Sequence, residues 1–241
     1  MCGRYTSTST VSDLSAIFET DEIDAGALPA RYNVAPTLDV YVVRSGRADG
    51  EGHSGRCLTT MRWGLVPSWA KDPSVGSRMI NARAEGIATK PAYRAALVRR
   101  RCIVPADAFY EWQRRTGPDG RPAGKLPYAI RRRDGAPMAF AGLWEVWREG
   151  EDPDSPRLRT CTIVTTSANQ LMAPIHDRMP VVLDRGDWVT WLDPGVGAAD
   201  AAGLLVPAPE GWLEAYPVST LVNDVRHDGP ELLDALPAPP A

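Results

Sequence analysis

The chain lacks the features that direct a protein into a membrane or out of the cytoplasm. Its 241 residues contain no apolar run that approaches the roughly 20 residues of a membrane-spanning helix. The start, MCGRYTSTST, has neither the basic residues nor the apolar stretch of a signal peptide. Cys2 stands where N-myristoylation requires glycine. These absences predict a cytoplasmic protein without a membrane partner.

Cysteine and histidine are scarce, which argues against metal centres and disulfide frameworks. The chain has four cysteines and three histidines, and no two cysteines form a CxxC pair. Since no zinc-site spacing is present, we expect neither a metal nor another cofactor. In a reducing cytoplasm, Cys57, Cys102 and Cys161 are expected to be small buried hydrophobic residues. Cys2 differs from them by its position.

An excess of positive charge is also missing, because the formal net charge is −3. The arginines nevertheless cluster at Arg78, Arg83, Arg94, 99–101 and 131–133. A basic face on an acidic protein can hold phosphates. Scattered solvated arginines explain the same composition equally well, so charge alone leaves both interpretations open.

Strand-like segments dominate the chain, and turn residues separate them. Helical patterns are found at 10–20, 89–100, 186–192 and 198–204, with a short helix capped by Ser167 through Leu171. Strand patterns are found at 38–43, 59–65, 101–112 with a bend at Pro105, 128–131, 138–147, 158–166, 179–183 and 213–222. Turn residues occupy 117–120, and hairpin loops are expected at 133–136 and 149–157.

This order of segments predicts an α+β fold rather than regular βαβ units. We expect a single domain over residues 1–235, with a curved, largely antiparallel, barrel-like sheet surrounded by helices. The 22 prolines and 21 glycines predict a loop-rich protein. The Pro-rich end, residues 236–241, is expected to be a disordered tail.

Cys2 has distinctive chemistry once Met1 is removed, a removal that a small second residue favours. The mature chain then begins with an α-amine and a thiol on one residue. An α-amine has a pKa of about 7.7–8.0, against about 10.4 for lysine, so far more of it is neutral and nucleophilic at pH 7. It can form a Schiff base with an aldehyde, and the thiol can close on the imine carbon to give a five-membered thiazolidine. The same groups also suit an N-terminal-nucleophile amidase.

A set of sequence blocks follows Cys2 in a fixed order. The blocks are CGRY (2–5), RYNVAPT (31–37), MRWGLVPSW (61–69), INARAE (80–85) and, later, FYEW (109–112) with IHDRMP (175–180). Together they resemble the SRAP family, the SOS response-associated peptidases, also described as abasic-site processing proteins. The resemblance extends from Cys2 to about Asn223. It implies capture of the ring-opened aldehyde of an abasic site in single-stranded DNA, as a thiazolidine crosslink that shields the site during the DNA damage response.

The same resemblance assigns four catalytic residues. Cys2 is the nucleophile, and Glu111 is an acid/base walled by aromatic neighbours. His176 helps to open the sugar ring and assists the imine chemistry, since histidine exchanges protons near neutral pH. Asn81 holds the Cys2 amine or the sugar by hydrogen bonds, because an amide both donates and accepts.

Eight further residues are assigned to DNA binding. Arg4 and Arg83 are implied to hold phosphates, whose oxygens fit the guanidinium fork. Apolar platforms for stacked bases are implied at Pro36, Trp69 and Trp112. Residues that line or support the site are Asn33, Thr165 and Arg178. Three other tryptophans are expected in the core, namely Trp63, Trp144 and Trp147.

Three functions remain open at this stage. The first is covalent capture of abasic DNA, with lyase chemistry because an imine at the sugar permits β-elimination. The second is a cysteine peptidase, including an autopeptidase that removes Met1, with Cys2 as thiolate and His176 as base. The third is a non-covalent reader of single-stranded or modified DNA. A self-contained site gives no reason to expect a dimer, so we expect a cytoplasmic monomer that joins the nucleoid when bound to DNA.

Overall fold

The computed structural model describes residues 2–46, 55–150 and 155–237, which form two β-sheets flanked by short helices. The strands are β1 (Arg4–Ser7), β2 (Glu22–Asp24), β3 (Arg31–Val34), β4 (Asp39–Ser45), β5 (Arg56–Trp63), β6 (Asn81–Arg83), β7 (Arg101–Ala106), β8 (Ala108–Thr116), β9 (Pro122–Arg132), β10 (Met138–Arg148), β11 (Arg157–Ser167), β12 (Arg178–Pro180) and β13 (Leu213–Pro217). The α-helices are α1 (Val11–Phe18), α2 (Arg94–Arg99), α3 (Trp188–Leu192) and α4 (Ala198–Gly203). Single 3-10 turns occupy Pro73–Arg78, Ala84–Gly86, Arg185–Asp187, Thr220–Asn223 and Pro230–Leu233. The α+β fold expected from the sequence is confirmed.

One of the sheets closes into a barrel. Its order is β12-β11-β10-β7-β4-β5-β2, and β11 also pairs in parallel with β5, which joins the two sides. The other sheet has the order β13-β9-β8-β1-β3 and is antiparallel throughout. The predicted curved sheet is therefore a closed barrel with a second sheet beside it.

The chain changes sheets at Asp107. The predicted bend at Pro105 is wrong, because Pro105 continues β7 and lies opposite Ala139 of β10. The Asp107 carboxylate instead accepts hydrogen bonds from the backbone N–H of Thr8 and from the hydroxyl of Ser9. This contact fixes the crossing that carries β8 into the same sheet as β1.

Three further local predictions differ from the structure. The segment 133–136 is not a hairpin loop, because β9 pairs with β8 and β13 whereas β10 pairs with β7 and β11. No helix starts at Ser167, since β11 runs to that residue and turns follow it. Asn169 organises these turns, because its side-chain oxygen accepts the Met172 N–H at 3.1 Å. The last predicted strand is also shorter than 213–222, since β13 ends at Pro217.

Other elements lie where the sequence placed them. Thr10 caps α1 in a capping box with Asp13. The turn at 117–120 joins β8 to β9, and the acidic segment joins β10 to β11, although its residues 151–154 lie outside the described residues. Residues 47–54 and 238–241, which include His53 and most of the expected tail, are likewise outside them.

The hydrophobic core divides into two main clusters. One joins α1, α2, α3 and α4 to one side of the barrel. The other fills the space between the barrel and the second sheet, where the Tyr5 ring packs edge-on against Trp63 with centroids 5.2 Å apart. Cys57, Cys102 and Cys161 are fully buried, as predicted. No helix in the described part of the chain is long and apolar enough to cross a membrane.

Candidate active site

Cys2 lies inside the protein, just before β1. Its exposed fraction is 0%, and it belongs to the core cluster that joins the barrel to the second sheet. The adjacent strand pairs with β8 so that Arg4 lies opposite Tyr110. Because β1 and β8 are antiparallel, this register brings Cys2 and Gly3 to the level of Trp112 and Glu111.

The surroundings of Cys2 keep its thiol neutral. Burial raises the pKa of this thiol well above its ordinary value, and the nearby Glu111 carboxylate raises it further. A thiolate is therefore disfavoured at neutral pH. Any reaction that starts from a Cys2 thiolate has to overcome this preference.

Asn81 holds the backbone of Cys2. Its side-chain Nδ2 donates to the Cys2 carbonyl oxygen at 2.7 Å. The neighbouring carbonyl of Ile80 accepts a hydrogen bond from the Trp63 indole, and β6 pairs in parallel with β11. The Asn81 Oδ1 atom is buried and has no hydrogen-bond partner among the described residues. Asn81 thus fixes Cys2 and keeps an acceptor for a further donor.

Glu111 is almost completely buried, with an exposed fraction of 2%. Its strand alternates so that Phe109 packs in the core with Cys2 while Tyr110 faces the opposite side. Glu111 follows Phe109 by two residues and therefore shares its face. The β1–β8 register also brings Glu111 to the level of Gly3, next to Cys2.

His176 lies in the turn before β12 and is half-buried. Its Nδ1 atom accepts the backbone N–H of Arg178 at 3.0 Å and lies 2.9 Å from the Asp177 carboxylate. These two contacts fix the orientation of the imidazole ring. A cleft of about 340 Å³ adjoins the ring and is lined also by Trp112 and Arg114.

Arg178 ties the His176 turn to the INARAE block. Its guanidinium forms a bidentate ion pair with Glu85, with Nη2 to Oε2 at 3.0 Å, and Nη2 also donates to the Thr165 carbonyl at 2.7 Å. Thr165 is fully buried in β11. Both Arg178 and Thr165 therefore contribute contacts that support the site.

Arg4 and Asn33 hold the segment that follows β13. The Arg4 Nη1 atom donates to Asn33 Oδ1 at 2.9 Å and to the Val222 carbonyl at 3.0 Å. The buried Asn33 amide donates in turn to the carbonyls of Val222, Asp224 and His227. The guanidinium of Arg4 is thus already fixed by the protein.

Trp69 and Pro36 occupy neighbouring turns. Trp69 is 67% exposed, and it lies on the loop 64–76. The residue after Pro36, Thr37, donates its backbone N–H to the Trp63 carbonyl at the base of this loop, at 2.8 Å. The RYNVAPT and MRWGLVPSW blocks therefore meet at one place.

Arg83 and Trp112 complete the predicted set. Arg83 is exposed, and its side chain makes no hydrogen bond or ion pair with the residues that the structure describes, although its charge helps to lower the pKa of Glu85. The Trp112 indole donates to Asn223 Oδ1 at 2.7 Å, which directs the nitrogen away from the cleft. Of the tryptophans expected in the core, Trp63 and Trp147 are buried and Trp144 is half-buried.

Several supporting residues lie outside the set predicted from the sequence. Glu85, within a recognised block, pairs with Arg178, and its position there was the available signal. Gln113 donates to the Pro174 carbonyl at 3.0 Å and joins β8 to the His176 turn. Asn223 and Asn169 carried no local pattern that predicts their contacts.

Comparison with known proteins agrees with these blocks. The family described as SOS response associated peptidase (SRAP) matches residues 1–225. The chain belongs to the SRAP family. Over 237 residues it is 42% identical to the abasic site processing protein YoqW of Bacillus subtilis (strain 168), covering 98% of this chain and 100% of that protein. It is 37% identical to the abasic site processing protein HMCES of Gallus gallus, covering 84% of this chain and 65% of that protein.

The SRAP fold also appears in solved structures. A protein from Bacteroides thetaiotaomicron superposes with a TM-score of 0.83, at 24% identity, over 98% of this chain and 100% of that one. A phage-related protein from Bordetella bronchiseptica superposes with a TM-score of 0.65, at 30% identity, over 90% of this chain and 94% of that one. Because the Bacteroides protein is only 24% identical to this chain, its similarity shows the fold alone.

Proposed function

We propose that this protein captures abasic sites in single-stranded DNA through a covalent thiazolidine on Cys2, which becomes the first residue when Met1 is removed. The observation that carries the proposal is the environment of Cys2, which is buried beside Glu111 and held by Asn81. The names of the relatives YoqW and HMCES support abasic-site processing as the role of this chain.

The reaction begins at the amine rather than at the thiol. The Cys2 nitrogen attacks C1′ of the ring-opened sugar, and loss of one water molecule gives an imine. The thiol sulfur then adds to the imine carbon and its proton passes to the nitrogen, which closes the ring. Since burial keeps the thiol protonated, the proton needed at nitrogen is present when the ring closes.

The surrounding groups move protons and hold the reactants. Glu111 accepts a proton from the attacking amine and returns it to the departing water. His176 assists opening of the sugar ring, and contacts at its Nδ1 atom hold the imidazole in place beside the cleft. Asn81 holds the Cys2 carbonyl and offers its buried Oδ1 to the amine or to a sugar hydroxyl.

DNA binding relies on exposed groups around this centre. Arg83 is an exposed cation suited to a phosphate, and exposed Trp69 with the Pro36 turn gives bases a surface on which to stack. Arg4, Asn33 and Arg178 shape the site through their contacts with the protein. The protein acts once per abasic site, as a monomer, and the imine also permits a slower lyase reaction.

A cysteine peptidase is less well supported. That mechanism starts from a thiolate, whereas burial and the Glu111 carboxylate both raise the pKa of the Cys2 thiol. Self-removal of Met1 requires no separate peptide-binding site and is compatible with the proposal.

The two groups on Cys2 can be tested separately. With a single-stranded oligonucleotide that carries one abasic site, Cys2→Ser should lose the heat-stable crosslink and keep an adduct that borohydride reduction traps, because the amine remains. A version with a tag retained before Cys2 should lose both. Normal crosslinking by the tagged protein would show that the N-terminal amine is not required.

A further inference from the structure

The β8–β9 hairpin extends past both of its neighbouring strands. Pairing with β13 reaches only from Tyr128 to Arg132, and pairing with β1 reaches only to Tyr110. Residues 113–126 therefore form a two-stranded arm, which is mostly exposed. The arm starts at the candidate site, where Gln113 contacts the Pro174 carbonyl.

Three of the four cations in the arm have no ion-pair partner among the described residues. Its charged residues are Arg114, Arg115, Asp119, Arg121 and Lys125. Arg121 lies 3.7 Å from Asp119, whereas Arg114, Arg115 and Lys125 form no ion pair with the residues that the structure describes. On this otherwise acidic protein, the arm is thus a local region of positive charge.

Two of these cations face each other. Arg114 and Lys125 are direct partners in the β8–β9 register. Like charges at such positions destabilise a sheet, and the described residues provide no anion between them. Arg114 also lines the cleft beside His176 together with Trp112, two residues earlier on the same face of β8. The Arg114–Lys125 pair therefore lies one step beyond Trp112 along the hairpin, next to the cleft.

We infer that this arm holds the sugar-phosphate backbone of the single strand on one side of the abasic nucleotide. Arg114 and Lys125 contact consecutive phosphates, and Trp112 lies against the base between them and the lesion. A polyanion relieves the repulsion between the two cations, which no neutral partner would do. The inference rests on the proposed function, and it adds the direction in which the bound strand leaves the site.

The matched control lies on the other half of β9. Arg131 and Arg132 carry the same two charges, but each is already paired, with Glu214 and Asp134 respectively. At about 3.3 Å per residue they lie roughly 20 Å from Lys125. The variants R114Q/K125Q and R131Q/R132Q therefore change the net charge equally at two different places.

The test measures fluorescence anisotropy with an intact 20-nucleotide strand over a range of KCl concentrations. R114Q/K125Q should bind about 5- to 20-fold more weakly at low salt. The slope of log K against log salt should be shallower by about 1.4, since a single strand contributes about 0.7 for each phosphate contact. R131Q/R132Q should change neither quantity appreciably.

The outcomes separate this inference from the proposed function. If the wild type crosslinks abasic DNA while R114Q/K125Q retains the wild-type affinity and slope, the arm is not a DNA contact and the proposed function stands. An equal loss of DNA affinity in both double variants would also overturn the proposed role of the arm, because it would show a general charge effect. If the wild type neither binds nor crosslinks DNA, both proposals fail. Loss of folding is checked by circular dichroism, and removing the Arg114–Lys125 repulsion should leave the melting temperature unchanged or higher.

Discussion

Cys2 of the mature chain carries two nucleophiles, the α-amine and the thiol, and different contacts govern each of them. The thiol lies in a core cluster where burial and the Glu111 carboxylate favour its neutral form. The backbone at Cys2 is fixed by Asn81, whose amide is 2.7 Å from the Cys2 carbonyl oxygen. The fold thus keeps the thiol neutral and fixes the backbone from which the amine extends.

Asn81→Asp tests this orientation with almost no change in shape. Aspartate lacks the N–H that Asn81 donates to Cys2 and places a carboxylate against that carbonyl. We expect the single-turnover crosslinking rate to fall by about 10- to 100-fold, since misplacement by about 1 Å can cost 100-fold. The rate is measured by quenching the reaction and resolving the products on a denaturing gel. A wild-type rate in a folded Asn81→Asp protein would show that this hydrogen bond does not position the nucleophile.

The residues of the site differ in how far the sequence alone could reveal them. The chemistry of Cys2 follows from its position behind Met1, whereas Glu111 is identified only through the resemblance of its FYEW block to the family. The contact between Arg4 and the Val222 carbonyl spans 218 positions and depends on tertiary structure. No local pattern predicts such a bond, so the sequence could not show that the Arg4 guanidinium also holds the segment after β13.

Among the loops, the segment that bears Trp69 is closed by two glycines. A Cβ atom at Gly64, where φ is +128°, would lie 2.5 Å from the Gly76 carbonyl oxygen, and one at Gly76 would lie 2.5 Å from the Gly64 carbonyl oxygen. Only glycine permits this approach of the two backbones. The loop that exposes Trp69 therefore depends on a glycine within the MRWGLVPSW block.

Gly64→Ala should open the base of this loop. Strain at a positive φ costs about 1–3 kcal/mol, and the contact with Gly76 adds to it. We expect lower stability in urea unfolding and weaker binding of single-stranded DNA. Gly26→Ala is the control, because no atom lies within 4 Å of its added Cβ. If Gly64→Ala matches Gly26→Ala in both measurements, the glycine contact does not maintain the loop.

The turns between strands show that local sequence patterns do not predict which strands pair. Turn residues at 133–136 and at 117–120 look equally suited to hairpins, but the second set alone joins two strands of one sheet. A turn sequence specifies a local change of direction. Which strands then pair depends on contacts such as that of Asp107 with Thr8, far apart in the chain.

Across the whole molecule, folding buries several groups that ionise at alkaline pH. Burial raises the pKa of the thiols of Cys2, Cys102 and Cys161 and of the hydroxyls of Tyr5 and Tyr110, above ordinary values of 9.0 for cysteine and 10.0 for tyrosine. The parallel pairing of β5 with β11 that closes the barrel joins distant segments and has no sequence signal. The fold class and the barrel-like curvature were predictable, whereas the strand pair that closes the barrel was not.

This burial predicts a loss of stability at high pH. Above the unfolded-state pKa values near 9.0 and 10.0, the unfolded chain releases protons that the folded chain retains. The stabilisation is therefore complete below pH 9 and decreases as pH rises, by up to about 1.4 kcal/mol per pH unit for each group. The melting temperature, measured by circular dichroism, should fall steeply between about pH 9 and 11. A constant melting temperature across that interval would contradict the assignment of these groups as buried and neutral.

The most direct test of covalent capture is the intact mass of the protein after incubation with an abasic oligonucleotide. We predict a chain without Met1 that carries the oligonucleotide with loss of one water molecule, stable to heat, with the adduct mapping to the peptide that begins at Cys2. An oligonucleotide with a reduced abasic site, which has no aldehyde, should give no adduct. An unmodified protein mass, or an adduct that maps to any other residue, would contradict the account.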